Sequence, residues 1–425
     1  MTKIRPFKAV LYNQEKNKDL SRLVCPPYDV ISQSRQEYYH NLDPHNLIHI
    51  LLGRDTPGED KYERAAKFFN DWLKNKILIQ DDKPAIYFYS QEYKIRGEKK
   101  ARYGFISLLH LETQKSSLFA HEHTRIAPKE DRIKIIRQVK ANLSPIFVVF
   151  ADQKRMIKRT CDHSIKNEKP FIDITDDEGV SHKLWKLTDP AVLTEIGNQM
   201  QRENLFIADG HHRYEVACMY RDELCKAQTS FTGEEPFNYI MAYFTNTDSR
   251  GLTIFPIHRL VKTPASFDLD SFKSKVKDYF DIEEVKDKAR LFFLMEKAGH
   301  IEHVLGMCKD KRYWLLRLKN VKILDKEISD KPAEYRMLDV SVLNYIILKK
   351  ILGMDLQAQN DDIQFIHDTD ELLRRVDEDA SYMAFVLNPV RIQQIMSVAL
   401  KGERMPPKST YFYPKVLSGL VVNKF

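Results

Sequence analysis

Leu205-Phe206-Ile207-Ala208-Asp209-Gly210-His211-His212-Arg213-Tyr214-Glu215 is the stretch from which the fold is read. Its first four residues form a short apolar run, the pattern of a buried strand. From His212 to Lys226 the pattern turns helical, with Val216, Ala217, Met219, Tyr220 and Leu224 as the apolar side. The run from Asp209 to Arg213 therefore falls at a strand-to-helix turn. Gly210 lets the backbone turn sharply and approach a ligand closely. The helix start exposes unpaired N–H groups and the positive end of its dipole, which favour a phosphate or carboxylate. Arg213 adds a planar fork for phosphate oxygens. His211 and His212 can donate to an anionic oxygen or shuttle a proton near neutral pH. Asp209 could orient a histidine, cap the helix or hold Mg²⁺. The bland alternative, a capped helix start with surface histidines, concentrates many polar groups beside a buried strand, which is costly.

Outward from this turn, helix and strand patterns mix. Ala85 to Tyr93 and Tyr103 to Leu111 are strand-like, with Arg96-Gly97-Glu98 as the turn between them. Tyr62 to Lys76 has helical spacing, and Ile146 to Phe150 is a buried strand after Ser144-Pro145. Further on, Tyr239 to Phe244 is a strand, Ser266 to Phe280 and Ile282 to Gly299 are expected helices, and Tyr313 to Leu318 is a strand. Ser341 to Leu352 is a helix, Ala384 to Leu387 a strand and Pro389 to Ala399 a helix. A chain of 425 residues exceeds one ordinary core. The expected class is α+β: a mixed-sheet catalytic domain over 1–265 and a smaller α/β domain over 266–425.

Four other stretches could carry chemistry. In His121-Glu122-His123-Thr124-Arg125, Glu122 could act as a general base, and two histidines spaced by two share one side of an extended segment. In Ala141-Asn142-Leu143-Ser144-Pro145, Asn142 and Ser144 could bond a ligand or make a turn. The prolines of Val24-Cys25-Pro26-Pro27-Tyr28-Asp29-Val30 would hold Tyr28 and Asp29 in place for a ligand, or simply make a structural loop. In Met405 to Lys415, Lys408, Ser409, Thr410 and Lys415 look like an anion-binding loop stiffened by proline, without the Gly-rich turn of a Walker A motif, or else like a terminal packing segment.

Composition excludes more than it assigns. Apolar residues make up 43% and charged residues 30%, with a modest net charge of +7. No apolar run is long enough to span a bilayer, and the first residues lack the pattern of a secretory signal, so a cytoplasmic protein with no membrane partner is expected. Cys25, Cys161, Cys218, Cys225 and Cys308 are scattered, without the spacing of a zinc knuckle, and read as reduced thiols. No basic helix or aromatic-basic module points to nucleic acid. Signatures of serine hydrolases, dinucleotide-binding enzymes, zinc proteases and protein kinases are missing.

Arg5-Pro6-Phe7, Cys25 to Ile31, His121-Glu122 with Thr124, Lys129 to Arg132, Ala141 to Phe147 and Ala208 to Glu215 together resemble one bacterial family that carries a domain-of-unknown-function label. Pro256-Ile257-His258-Arg259-Leu260, Leu338 to Leu343 and Met405 to Lys415 extend the resemblance over essentially the whole chain. His123 stands where that family usually has a basic residue such as arginine. The Asp-Gly-His-His-Arg turn itself looks like the phosphate-binding turn of the ParB/sulfiredoxin-like fold, which includes free-serine kinases. The resemblance implies a small-molecule phosphotransferase of serine metabolism, with pyrophosphate or a nucleotide as donor and free L-serine as acceptor. It carries Asp209, Gly210, His211, His212 and Arg213 over as phosphate and Mg²⁺ contacts.

The expected catalytic set is Glu122, Asp209, His211, His212 and Arg213, with Asp209 on the metal. Asp29, His121, Thr124, Asn142, Ser144, Gly210, Lys408, Ser409 and Thr410 are the expected substrate and phosphate contacts. Phosphoryl transfer needs positioning, charge neutralisation and a base for the hydroxyl, and this set offers all three. Two other classes compete: a nucleotide-binding regulator of ParB type, and a metal-dependent hydrolase built on His121, His123, His211 and His212.

Overall fold

The computed structural model describes residues 2–112, 117–227, 230, 232–355 and 362–425. They fall into two compact units. The first comprises Met1–Ala120, Thr124–Thr253 and Pro414–Phe425, the second His121–His123 and Ile254–Tyr413.

The first unit is built, among the described residues, on a nine-stranded mixed sheet. Its strands run in the order Leu118–Phe119, Leu205–Asp209, Ile146–Phe150, Tyr239–Asn246, Glu98–His110, Ile86–Ile95, Ser181–Leu187 and Ile172–Thr175, with Ile4–Arg5 paired to Glu98–His110. Leu205–Asp209 is parallel to Leu118–Phe119, and Tyr239–Asn246 is parallel to Ile146–Phe150. The other pairings are antiparallel. The hairpin between Ile86–Ile95 and Glu98–His110 turns on Arg96 and Gly97, both left-handed at φ 50° and 82°, which matches the twist of the strands. Ile146 to Phe150 is buried throughout, as a central strand covered on both faces must be.

The helix His211–Ala227 buries two sides at once. Ala217, with Tyr214 and Cys218 beside it, packs into the main core. Val216 and Tyr220 pack with Ile133 and Ile136 of the helix Ile126–Val139. Met219, expected on the apolar side, is instead exposed, because the sheet and the neighbouring helix occupy only the other directions around the axis. The chain's end is pinned to this unit: Asn423–Lys424 pairs with Ala141–Asn142, Val422 bridges Val10, and Ser418 bridges Cys25. All five cysteines are free thiols.

The second unit carries a six-stranded antiparallel sheet in the order Phe280–Val285, Arg312–Leu318, Val304–Lys309, Tyr382–Val386, His258–Lys262 and Ile363–Ile366. The expected helix over Ile282 to Gly299 is corrected here: its start belongs to the strand Phe280–Val285, and only Lys288–Ala298 is helical. Phe280 and Val285 face the core, while Glu284 makes a cross-strand ion pair with Arg312 at 2.7 Å. Asp287 then starts the helix by accepting from the Arg290 N–H at 2.9 Å, so strand and helix meet at a cap that periodicity alone does not show. Among the described residues no helix is long and apolar enough to cross a membrane.

Candidate functional site

The strand Leu205–Asp209 reaches the turn through a register shift. Ile207 lies opposite Val148, but Asp209 lies opposite Phe147, so Ala208 is an extra residue. Such a bulge re-aims the next side chain. Gly210 follows at φ 89°, where side chains are strained, and a Cβ there would lie 3.0 Å from Cζ and 3.1 Å from Nε of Arg213. Both the backbone angle and the packed guanidinium therefore select glycine at this position.

Two cations share the Asp209 carboxylate. Arg213, one helical turn on, donates to Oδ2 at 2.6 Å. Lys415 donates to Oδ1 at 2.6 Å. Burial pushes the Asp209 carboxyl up, but Lys415 and Arg213, helped by His211, more than offset this and hold it well below the usual carboxylate range. Arg213 also donates to the Pro145 carbonyl, while its Nε is buried with no hydrogen-bond partner among the described residues. A buried guanidinium N–H without an acceptor carries a desolvation cost. The first-turn N–H groups of the helix lie at the same corner and have no helical acceptor.

Lys415 is held from behind. Gln91 Nε2 donates to the Lys415 carbonyl at 2.8 Å, and Arg102 donates to the Pro414 carbonyl and, through Nε, to Gln91 Oε1 at 3.1 Å. Gln91 and Arg102 are both fully buried. Tyr28 stands beside this cluster: the Arg132 guanidinium lies 4.3 Å from its ring centroid. Burial and Asp29 push its hydroxyl up to about 12, with Arg213 pulling the other way.

The remaining first-unit candidates take definite places. His211 is buried. His212 Nε2 accepts from the Arg125 N–H at 2.9 Å, just before the helix Ile126–Val139, so its Nδ1 carries the proton. Thr124 Oγ1 donates to Glu215, which also pairs with Lys129 at 3.0 Å. Asn142 Oδ1 accepts from the Met241 N–H at 3.1 Å and from Asn423 Nδ2 at 3.2 Å, a brace for the terminal strand. Ser144 Oγ bonds Ser418 Oγ at 2.5 Å. Asp29 is exposed on the short turn Tyr28–Val30.

His121, Glu122, Lys408, Ser409 and Thr410 belong to the second unit. There His121 Nε2 lies 3.5 Å from Thr410 Oγ1, and the His121 carbonyl accepts from the Met405 N–H at 2.8 Å. Lys408 is left-handed at φ 53°, and Ser409 Oγ donates to the Pro406 carbonyl. Among the described residues no group of three or more His, Cys, Asp or Glu side chains could hold a metal ion. Asp209 does not fit Mg²⁺ as it stands, because each of its oxygens is already bound to a cationic side chain.

Two sequence-remote groups, Lys415 as the second partner of Asp209 and Tyr28 beside it, complete the cluster. The proline-bounded runs single out both Lys415 and Tyr28, but nothing in them shows that either meets Asp209.

A mixed-sheet α+β unit with a charge-paired strand-to-helix turn, together with a second unit on an antiparallel sheet, defines the class of this protein. The chain belongs to the family described as "Protein of unknown function (DUF1015)", whose profile matches residues 4–341. No curated protein matches the sequence. Among solved structures, a free serine kinase in complex with AMP is 12% identical, with 72% of this chain and 86% of that one covered and a TM-score of 0.34. A conserved hypothetical protein from Pyrococcus furiosus is 12% identical over 73% and 92% of the two chains, with a TM-score of 0.33. SbnI with C-terminal truncation from Staphylococcus aureus is 11% identical over 74% and 85%, with a TM-score of 0.36. Likeness of this size leaves the chemistry to be argued from the residues.

Proposed function

We propose that the Asp209–Arg213 turn binds the phosphoryl group of pyrophosphate or a nucleotide and transfers it to the hydroxyl of free L-serine. The observation that carries this reading is the orphaned Arg213 Nε beside Lys415, at the N-terminus of the helix His211–Ala227. An incoming phosphate oxygen would give that N–H its acceptor, and the helix N-terminus favours the same charge.

In the transfer the serine oxygen bonds to the terminal phosphorus as the bond from that phosphorus to the bridging oxygen breaks. The products are O-phosphoserine and orthophosphate, or the shortened nucleotide. Arg213 and Lys415 neutralise the charge on the transferred group, which is most of what such a loose transition state requires. Asp209 holds both cations in place; with its carboxyl pushed so far down it is a poor proton acceptor. The hydroxyl proton passes to the departing phosphate oxygen or to solvent, with His211 a further donor and Asp29 and Thr124 the flanking substrate contacts.

A phosphorus NMR time course tests the reading, with Mg²⁺ and L-serine in the buffer and pyrophosphate, ATP or ADP in separate tubes. O-phosphoserine is expected with one donor and not with Arg213→Lys, which keeps the charge but loses the fork. Silence with all three donors from folded protein would overturn serine phosphorylation.

A further inference from the structure

The second unit contains a polar cavity of about 260 Å³ that the transfer reading does not use. It is smaller than the roughly 300–1,000 Å³ of sites that take drug-sized ligands. Three stretches marked by the sequence meet in its wall: Ile257, Asp339 with its neighbours, and Ser409. The ionisable groups facing it are His300, Glu302, His303, Asp339 and Arg391.

Their pairing leaves a definite remainder. His303 Nδ1 lies 2.8 Å from Asp339 Oδ1, and both side chains are mostly buried. A ring nitrogen against a carboxylate must donate, so the neutral imidazole keeps its lone pair on Nε2. Glu302 is taken by Arg317 at 2.7 Å. Among the described residues Arg391 donates to the carbonyls of Gly299 and His300, at 3.2 and 3.3 Å. The Asn388 amide fills the space that Gly299 leaves open: a Cβ at Gly299 would lie 2.2 Å from Asn388 Nδ2. That Nδ2 is buried and has no hydrogen-bond partner among the described residues.

The cavity thus offers acceptors at His303 Nε2 and Asp339, and donors at Asn388 Nδ2 and Arg391. Once Glu302 is paired away, one negative and one positive side chain remain, so a ligand of net charge is not called for. We infer that this cavity binds a small zwitterion, with an ammonium on the His303–Asp339 pair and a carboxylate on Asn388 and Arg391. Such a ligand satisfies the orphaned amide and leaves no charge unpaired. The site stands independently of phosphoryl transfer, which is assigned to the other unit.

Histidine-labelled full-length protein reports on it directly, with the His303 imidazole signal assigned by its loss in His303→Gln. The probes are glycine, acetate and methylamine; glycine has no hydroxyl and cannot be a phosphoryl acceptor. A saturable shift of the His303 signal with glycine, but not with acetate or methylamine, is expected. Asn388→Ala should weaken glycine binding by about tenfold, the size of one lost hydrogen bond to a charged group. An equal response to acetate or to methylamine would overturn the zwitterion. So would an unmoved His303 signal, or unchanged binding in Asn388→Ala. Because Asp339→Asn could disturb the helix it starts, Asn388→Ala and Arg391→Gln are the deciding variants.

Discussion

Arg213 in the first unit, partly exposed, and Arg259 in the second, fully buried, both follow a histidine, yet their partners differ. Arg213 shares a carboxylate with Lys415. Among the described residues Arg259 has none: it donates to the Ile257 carbonyl at 2.6 Å and the Pro407 carbonyl at 3.3 Å, with its guanidinium 4.5 Å from the centroid of the Phe365 ring. Burial lowers its pKa to about 9, so it still carries its charge at neutral pH. A buried arginine with carbonyl partners ties loops together and has nothing to release. One that shares a carboxylate with a second cation, and keeps an unbonded Nε, has its charge held ready for another anion. The same short motif therefore marks a brace in one unit and a candidate binding group in the other.

The comparison breaks most sharply at Asp209. Asp209→Ala leaves two cations without their counter-charge, and a loss of about 3–5 kcal/mol in urea unfolding is expected. Adding Lys415→Met should recover part of that loss, since it removes one of the stranded charges. An additive double variant would show that the two side chains do not act as a pair. Next in size is Gly210→Ala, which forces a side chain into a left-handed backbone and against the Arg213 guanidinium. A loss of about 2 kcal/mol is expected, with phosphoryl transfer falling further than stability, because Arg213 must move. Arg259→Met should cost less, about 1–2 kcal/mol, because it strands two carbonyls but no charge. If Arg259→Met proved as damaging as Asp209→Ala, the distinction between brace and charge cluster would fail.

How far the sequence reaches follows the same line. The strand Leu205–Asp209, the helix behind it and the glycine between them are local, and periodicity with one turn residue is enough to place them. The bulge at Ala208 is invisible there, since it depends on the register of the neighbouring strand. Lys415 sits in a proline-bounded run that reads as one anion-binding loop, yet Lys415 itself counts with the first unit and Lys408 to Thr410 with the second. Nothing local separates Tyr413 from Pro414. The separation rests on Arg102 and Gln91, whose buried side chains catch the carbonyls of Pro414 and Lys415 from strands far away in the chain. Asn142 and Ser144, read as ligand contacts or a turn, lie in a strand and its loop and bond to the same terminal segment, at Asn423 and Ser418. Side chains that join distant segments leave no spacing to read.

The smallest effect lies beside Arg259. His258 Nδ1 accepts from the Leu387 N–H at 3.2 Å, and its Nε2 lies 3.2 Å from Thr369 Oγ1. A second ring proton would have to sit on Nδ1, against that N–H. Burial, then Arg259 and His367, lowers its pKa to about 4, with Asp368 opposing. The folded value lies below the unfolded one of about 6.5, so the unfolded chain binds more protons between them. The contribution of His258 is therefore complete above about pH 6.5 and is lost as the pH falls towards 4. His182 in the first unit is shifted in the same direction, so the slope of the whole protein does not isolate His258. His258→Asn does, because an amide can keep both hydrogen bonds without titrating. Between pH 6.5 and 5.5 the wild type should lose about 1 kcal/mol more than His258→Asn in urea unfolding, one pH unit of one proton's linkage. Equal losses would mean that the ring accommodates its second proton, and that the packing around Arg259 tolerates a further charge.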